Sequence, residues 1–281
     1  MSIQTLTRYL EQYESAVVAL SGGVDSSLVA KIASDIFGAK ALAVISASES
    51  LPESERRLAV ELCAEIGIPF RQIKTTELLD ADYRANDGKR CFVCKSHLYH
   101  ELQMFASDNG YDVVLDGANA DDLSDYRPGR QAAKDHNIKS PLAELGIGKA
   151  EVRRLAKDLQ LPNWNKPASA CLASRIPYGT EVTKETLAQV EQAEEIMRES
   201  GFIQFRVRHH DSVARIEIAL EEFARVIEQR ESITSQMKKL GYKFISLDLD
   251  GFRSGSMNEL CLLYTSPSPR DATLSRMPSS A

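Results

Sequence analysis

The sequence predicts a doubly wound, parallel α/β domain followed by a smaller α+β domain. In the first ~160 residues, short strand-like runs alternate with amphipathic segments, which is the order of strand–helix–strand units in a parallel sheet. A turn with two glycines joins the first run to the first helical segment. After residue 165, a segment rich in Pro and Ala leads into two adjacent alternating runs, the pattern of a hairpin. We therefore expect a first domain over 1–165 and a second over 166–261.

The elements of the first domain follow from the spacing of their apolar residues. The predicted strands are short runs at 16–20, 41–45, 70–73 and 113–115. The predicted helices place apolar residues on one face and lie at 26–37, 53–66, 95–106 and 148–159. Because parallel strands need crossover connections of this kind, we expect a sheet covered by helices on both faces.

The second domain is predicted to be a small α+β unit. We expect a helix over 184–199, strands over 203–207 and 213–218, a helical stretch over 220–240 and a last strand over 244–249. His209 and His210 are expected in the turn between the first two of these strands. From Leu262 the sequence is rich in Ser and Pro and has no period, so we interpret 262–281 as a non-native, adapter-like tail and leave it and Cys261 out of the functional argument.

Composition limits the classes of function. The 281 residues are 43% hydrophobic and 26% charged, as in ordinary globular proteins, and the net charge of −6 argues against a nucleic-acid partner. The sequence has neither an apolar run that could span a membrane nor the core of a signal peptide, so we expect a cytoplasmic protein without membrane contact. An odd number of cysteines, five, favours reduced thiols, metal ligation or catalysis over a disulfide framework.

The glycine-containing loop after the first strand predicts a phosphate site. In SGGVDSS, Gly22 and Gly23 let the backbone approach a phosphate closely, and the helix that follows offers unpaired N–H groups. Ser21 and Ser26 add hydroxyl donors, and Asp25 can hold Mg²⁺. The string is neither the Walker A motif nor the dinucleotide motif. The alternative is a plain tight turn in which Ser26 caps the helix.

The same string resembles the PP-loop of the N-type ATP pyrophosphatases. That resemblance implies a HUP-like α/β fold and cleavage of ATP between its α- and β-phosphates, with adenylation of a substrate. The superfamily adds a second acidic loop after a later strand, and DGANADD at 116–122 stands in that place, with Gly117 and Asp121 expected at the ATP. The alternative for Asp121 and Asp122 is a pair of solvated loop carboxylates.

Three further sequence segments point to one family within this superfamily. They are DYRPG at 125–129, NWNKPASACLASRIPYGT at 163–180, and FRVRHHDSVARIE at 205–217 with LDLDGFRSGSMN at 247–258. Together they resemble the LarE family of ATP-dependent sulfur transferases, which act in assembly of the nickel-pincer cofactor of lactate racemase. The resemblance spans about residues 5–260. It implies that a pyridinium dicarboxylic acid mononucleotide is adenylated and that a sulfur nucleophile then displaces AMP to leave a thiocarboxylate.

The cysteines indicate how sulfur is supplied. In the best-known version of the family the enzyme's own cysteine gives up its sulfur, but Ala170 stands at that position here and Cys171 is its neighbour. Cys91, Cys94 and Cys171 could instead give three thiolates to a 4Fe–4S cluster and leave one iron open for an extra sulfide, which resembles the cluster-bearing branch of the family. The alternatives are a zinc site, three unrelated thiols, or sacrificial use of Cys171.

Basic residues of the second domain predict an anion site. Arg206 and Arg208 share one face of a strand, and Ser174 and Arg175 lie in the cysteine segment, so we expect these four to bind the phosphate and carboxylates of the substrate. The alternative is a solvated strand face. The family resemblance also implies a metal-binding role for Glu194, which on sequence alone is an exposed helix residue.

The leading prediction is therefore a sulfur-inserting enzyme that uses ATP, Mg²⁺ and a 4Fe–4S cluster, acts on a small nucleotide and forms a homo-oligomer. In a second hypothesis the protein has the same phosphate loop and cluster, but its substrate is tRNA. The net charge argues against this hypothesis. A third is an adenine-nucleotide-binding module without catalysis. The fourth, an amide-forming ligase, leaves the three cysteines unexplained.

Overall fold

A computed structural model describes residues 2–123, 129–167 and 169–253 of the chain. The chain divides into two compact units, of which the first holds the residues up to Leu172 together with Val182–Leu187. The second holds Ala173–Glu181 and the described chain from Ala188 onward. The predicted tail, Cys261, most of the string at 125–129, Ala168 and the end of the string at 247–258 lie outside the described residues.

The first unit contains four strands and eight helices among its described residues. The strands are β1 (Ala16–Ala19), β2 (Ala41–Ser46), β3 (Phe70–Ile73) and β4 (Val113–Leu115). The helices are α1 (Ile3–Leu10), α2 (Val24–Phe37), α3 (Glu53–Ile66), α4 (Ala81–Arg84), α5 (Arg90–Asp108), α6 (Gly129–Asp135), α7 (Pro141–Glu144) and α8 (Lys149–Asp158).

The sheet of this unit is wholly parallel, with the strand order β3-β2-β1-β4. Its two faces carry different cores, because successive side chains of a strand point in opposite directions. Val18 and Ile45 pack with α1, α2 and α8 on one face, while Val17 and Val44 pack with α5 and α6 on the other. The predicted doubly wound parallel sheet is therefore confirmed.

This strand order sets the position of a ligand site. The chain starts in the middle of the sheet, moves outward through β2 to β3, and returns to place β4 on the other side of β1. The loops after β1 and β4 therefore leave the same edge of the sheet in opposite directions. In open α/β sheets such a reversal opens a crevice at the carboxyl ends of the strands, which is where ligands bind.

The second unit is a small α+β structure, as predicted. Its elements are α9 (Lys184–Glu199, whose first residues belong to the first unit), β5 (Phe205–His210), β6 (Val213–Ile218), α10 (Phe223–Glu228), α11 (Arg230–Lys239) and β7 (Phe244–Leu247). β5 and β6 are antiparallel, and β7 runs parallel to β6. The core contains Met197, Phe202, Val207, Ile216 and Met237.

Several boundaries differ from the predictions. Helix α5 begins at Arg90 and not at residue 95, so that Cys91 and Cys94 lie in its first turns; its start has no side-chain cap that the sequence could reveal. His209 and His210 belong to β5, and a tight turn at Asp211, with φ of 50°, follows them. The predicted helical stretch 220–240 is two helices, α10 and α11. None of the described helices is long and apolar enough to cross a lipid bilayer.

Candidate active site

The loop after β1 is built to leave backbone donors unpaired. Gly22 has φ of 74°, and a Cβ added there would lie 3.3 Å from the Cβ of Ala59, so this turn requires glycine. Helix α2 begins after Gly23 without a side-chain cap. Ser26 does not cap the helix, because its hydroxyl donates to the Gly23 carbonyl at 3.1 Å. The first N–H groups of α2 are therefore available to a phosphate group.

The loop after β4 lies directly against the start of α2. A Cβ added to Gly117 would stand 2.4 Å from the backbone N of Ser26 and 2.9 Å from the carbonyl carbon of Asp25. Only glycine permits this approach, and the approach brings together the two loops that the sequence assigns to ATP. Asp116, which is 4% exposed, fixes the loop by accepting hydrogen bonds from Tyr99 Oη at 2.6 Å and Ser140 Oγ at 2.7 Å.

The Asp25 carboxylate lies between the two loops. Its Oδ1 accepts a hydrogen bond from Asn119 Nδ2 at 3.1 Å, and its Oδ2 forms an ion pair with Lys149 Nζ. The backbone N–H of Lys149 donates to Asp121 Oδ2 at 2.8 Å. A carboxylate that is 18% exposed and faces a phosphate loop is a suitable ligand for Mg²⁺. Ser21, Gly22, Gly23, Asp25, Ser26, Gly117 and Asp121 are thus brought to one edge of the sheet.

Sequence reasoning missed residues that hold these loops. Asn163 Nδ2 donates to the Gly22 carbonyl at 3.1 Å and to Ser27 Oγ at 2.9 Å. Lys166 Nζ lies 3.4 Å from the same carbonyl and 2.6 Å from Glu55 Oε2. The segment that carries Asn163 and Lys166 therefore clamps the glycine loop. Its place beside the cysteine segment was visible in the sequence, but its contact with residues more than a hundred positions away was not.

Lys149 is a second residue that the sequence analysis did not assign. It is the first residue of α8, at the positive end of that helix dipole, where a cation is disfavoured unless something compensates it. The signal that could have identified Lys149 from the sequence was a lysine near the start of a predicted helix.

The three predicted thiols all lie in the first unit, where Cys94 interacts electrostatically with the other two. None of them is in a disulfide; Cys91 is exposed, and Cys94 and Cys171 are half-buried. Burial raises the pKa of Cys94 well above its usual range, and Glu77, Cys171 and Cys91 raise it further. Cys91 and Cys94 are three positions apart on α5 and so share a helix face. The Leu172 N–H donates to the Ser50 carbonyl at 2.8 Å, which anchors the Cys171 segment.

The surroundings of these thiols are polar and buried. Glu77 is 1% exposed, its Oε1 accepts a hydrogen bond from Ser48, and its Oε2 has no hydrogen-bond partner among the described residues. Burial also raises the pKa of Tyr83, and its neighbours Cys171 and Cys94 add to that shift. Cys63, by contrast, lies in the core of α3 at 1% exposure, as its helical spacing predicted.

The donor set can be compared with the groups it was predicted to hold. No three His, Cys, Asp or Glu side chains within the described ranges are close enough together to hold a single metal ion. A 4Fe–4S cluster binds each cysteine through a different iron, so its thiolates stand farther apart. Cys94 interacts with both Cys91 and Cys171, and three such neighbouring thiols are compatible with that group.

The predicted anion-binding residues of the second unit fall into two kinds. Arg175 is 2% exposed, and its Nε and Nη2 donate to the two carboxylate oxygens of Glu194 at 2.9 and 3.0 Å. Arg208 donates to Glu217 Oε2 at 2.7 Å and to the Ser174 carbonyl at 3.0 Å. Their positive charges are therefore compensated by buried carboxylates.

Arg206 is different. It makes no ion pair within the described part of the chain, and its guanidinium lies 5.3 Å from the ring centre of Phe252. Burial lowers its pKa, and the nearby Arg175 lowers it further, as expected for a cation that no carboxylate compensates at close range. Of the four predicted anion ligands, Arg206 has the charge best placed to attract one. Glu194 is not the exposed residue that sequence alone suggested, since it is 3% exposed.

Comparisons with known proteins agree with this geometry. The NAD synthase family model matches residues 2–98. An uncharacterized protein of Synechocystis is 42% identical over 260 residues, which are 92% of this chain and 97% of that protein. The pyridinium-3,5-bisthiocarboxylic acid mononucleotide synthase of Lactiplantibacillus plantarum is 38% identical over 256 residues, which are 91% of this chain and 93% of that protein. The chain belongs to this synthase family. A tRNA-5-methyluridine(54) 2-sulfurtransferase of Pyrococcus horikoshii is 27% identical over 128 residues, only 44% of this chain.

Membership of the synthase family confirms the resemblance drawn from the sequence strings. The match covers 91% of the chain, so it extends into the second unit. The NAD synthase match is confined to part of the first unit, where the glycine loop lies. This match supports membership of the PP-loop superfamily and the use of ATP.

Proposed function

We propose that this chain is an ATP-dependent sulfur transferase that makes pyridinium-3,5-bisthiocarboxylic acid mononucleotide for nickel-pincer cofactor synthesis. The observation that carries the proposal is 38% identity to a synthase of that name over 91% of this chain, in a protein with a complete phosphate loop. The phosphate loop and the thiol group supply the two chemical functions that such an enzyme needs.

The first step is activation of a carboxylate. A substrate carboxylate oxygen attacks the α-phosphorus of ATP, the bond to the bridging oxygen of the β-phosphate breaks, and pyrophosphate leaves with that electron pair. The N–H groups at the start of α2 and the Ser21 hydroxyl would stabilise the departing pyrophosphate, and the Ser26 hydroxyl would join them once it turns away from the Gly23 carbonyl. Mg²⁺ bound at Asp25 would neutralise part of the phosphate charge.

The second step is replacement of AMP by sulfur. A sulfur nucleophile attacks the acyl carbon of the adenylate, and the carbon–oxygen bond to AMP breaks to leave a thiocarboxylate. A free carboxylate is a poor acyl donor, whereas AMP is a good leaving group, so adenylation must come first. Cys91, Cys94 and Cys171 are the residues that we assign to sulfur delivery.

We further propose that Cys91, Cys94 and Cys171 bind a 4Fe–4S cluster. Such a cluster, when bound through three cysteines, leaves one iron that can hold the sulfur to be transferred. The closeness of Cys94 to Cys91 on the same face of α5, and its electrostatic interaction with both Cys91 and Cys171, support this assignment. Anaerobic reconstitution should give a broad iron–sulfur absorption band that each cysteine-to-alanine variant loses and that Cys63→Ala retains. Absence of the band from the native chain would contradict the cluster. Sacrificial use of the Cys171 sulfur would then be the mechanism to test.

The second unit is proposed to hold the substrate. Arg206 would bind an anionic group of the mononucleotide, with Ser174, Arg175 and Arg208 forming the wall around it. The buried pair Arg208–Glu217 supports this by fixing β5, the strand that carries Arg206, and Glu194, which pairs with Arg175, also accepts the Val207 N–H of that strand. The predicted metal role of Glu194 stays a prediction, since both of its oxygens bind Arg175.

A tRNA thiolase is the second candidate, because a tRNA 2-sulfurtransferase matches part of the chain. That match covers less than half of the chain, and the net charge of −6 argues against tRNA as the substrate. We also keep two expectations: a homo-oligomer, which light scattering would measure, and a cytoplasmic location, which the four described cysteines outside disulfides support.

Release of pyrophosphate tests the proposal. The reconstituted chain, ATP, Mg²⁺, sulfide and the pyridinium dicarboxylic acid mononucleotide should yield AMP and pyrophosphate in equal amounts, and omission of the mononucleotide should stop the release of both. Asp25→Asn should lower the rate by at least ~100-fold, whereas Asp35→Asn, a matched change farther along α2, should leave it unchanged. ATP binding without turnover would instead support a binding module.

A further inference from the structure

We propose that Lys149 is a residue of the ATP site that occupies the Mg²⁺ position on Asp25 until the metal and ATP arrive. Its ammonium group then moves from the carboxylate to the triphosphate. The inference rests on the proposed function only in taking ATP as the ligand of the loop.

The position of Lys149 is fixed by its backbone and not by its side chain. Its N–H donates to Asp121 Oδ2 at 2.8 Å, and Gly148 before it has no room for a side chain, since a Cβ would lie 2.7 Å from Asp121 Oδ1. The start of α8 is thereby held against the second acidic loop. From this fixed backbone position, the flexible side chain of Lys149 extends to Asp25.

The two oxygens of Asp25 have different partners. Oδ1 is held by the Asn119 amide at 3.1 Å, which keeps the carboxylate oriented toward the loops. Oδ2 is bound by the Lys149 ammonium, and both side chains are partly exposed, at 32% for Lys149 and 18% for Asp25. A cation can therefore reach Oδ2 from solvent, but it must displace the lysine.

The position of Lys149 is electrostatically unfavourable for a cation unless a carboxylate compensates for the charge. The first turn of α8 carries the positive end of the helix dipole, which disfavours a cation. The positive charge placed there is held by Asp25, and it is released when a stronger cation binds Asp25. Magnesium brings two charges to the same oxygen and is the stronger ligand of a carboxylate.

Release would place the ammonium beside the phosphates. Asp25 lies in the first turn of α2, whose N–H groups face the phosphate position. An ammonium that leaves Asp25 Oδ2 remains within the length of its own side chain from that position. Lysine is a common phosphate ligand in nucleotide sites because its ammonium acts as a compact point charge. No bond is made or broken in this exchange beyond the ion pair.

The proposal predicts that replacing Lys149 strengthens metal binding but slows pyrophosphate release. Removing the competing charge in Lys149→Met should tighten binding of Mn²⁺ alone, without ATP, by about tenfold. The same variant should release pyrophosphate at least ~100-fold more slowly, because the transferred charge is missing at the triphosphate. A lysine with only a structural role would not strengthen metal binding when it is removed.

The test uses the full chain, with Mn²⁺ binding followed by electron paramagnetic resonance. Lys31→Met is the matched control, since Lys31 pairs with Asp35 at 2.5 Å on α2 away from the loops, and it should change neither quantity. Mn²⁺ binding that is unchanged or weaker in Lys149→Met overturns the proposal. If the native chain fails to turn over ATP, the proposed function fails, and the Mn²⁺ comparison still decides the role of Lys149.

Discussion

Replacement of Gly117 by alanine should disable the ATP site by pushing its two loops apart. The added Cβ would lie 2.4 Å from Ser26 N and 2.6 Å from Ser26 Cα, both of which are backbone atoms that cannot rotate away. Ordinary van der Waals contact begins at 3.4 Å, so the second loop must move by about 1 Å. The movement carries Asp121 and Asn119 away from Asp25.

The size of the effect follows from that displacement. A shift of about 1 Å in catalytic geometry costs on the order of 100-fold in rate, and overpacking costs about 1–3 kcal/mol of folding stability. We therefore expect kcat/KM for pyrophosphate release to fall about 100-fold while the chain stays folded. Steady-state kinetics and thermal unfolding measure the two quantities separately.

Gly88→Ala is the matched control for this prediction. A Cβ at Gly88 meets no atom within 4 Å, so the same chemical change should leave both rate and stability as they are. If Gly117→Ala keeps kcat/KM within about twofold of the native value, the loops do not need this approach and the reasoning is refuted.

Further outcomes are expected elsewhere in the chain. Glu194→Gln leaves Arg175 buried without its counter-charge, so urea denaturation should show a loss of about 3–5 kcal/mol; a loss under about 1 kcal/mol would contradict a buried ion pair. Burial raises the pKa of Cys63 to about 11, so only about 0.1% is thiolate at pH 8, and iodoacetamide should label exposed Cys91 while sparing Cys63 in the cluster-free protein. Asn163→Ala should raise KM for ATP about tenfold, and an unchanged KM would exclude the clamp on the glycine loop.

The parallel sheet and the glycine loop could be predicted because their signals are local. Apolar runs give the strands, helical spacing gives the crossover helices, and a pair of glycines between the first strand and helix marks the turn. The second loop was located as well, because it follows a short buried strand. What the sequence did not show is that Gly117 is required for packing against Ser26, since that contact joins two distant loops.

The charged residues were harder to place. Glu194 lies on a helix rich in charge, which favours a solvated position, yet it is buried because Arg175, 19 positions away, binds both of its oxygens. Lys149 and Asp25 are 124 positions apart, so no local pattern could pair them. The start of α5 was placed too late, because no capping residue marks it.

Sulfur incorporation tests the central claim most directly. The reconstituted chain would be incubated anaerobically with ATP, Mg²⁺, sulfide and the pyridinium dicarboxylic acid mononucleotide, and the nucleotide would be analysed by mass spectrometry. The account predicts a product in which sulfur replaces carboxylate oxygen, formed together with one AMP for each sulfur atom. Formation of AMP with an unchanged nucleotide, or with an amide when ammonia is supplied in place of sulfide, would contradict a sulfur transferase.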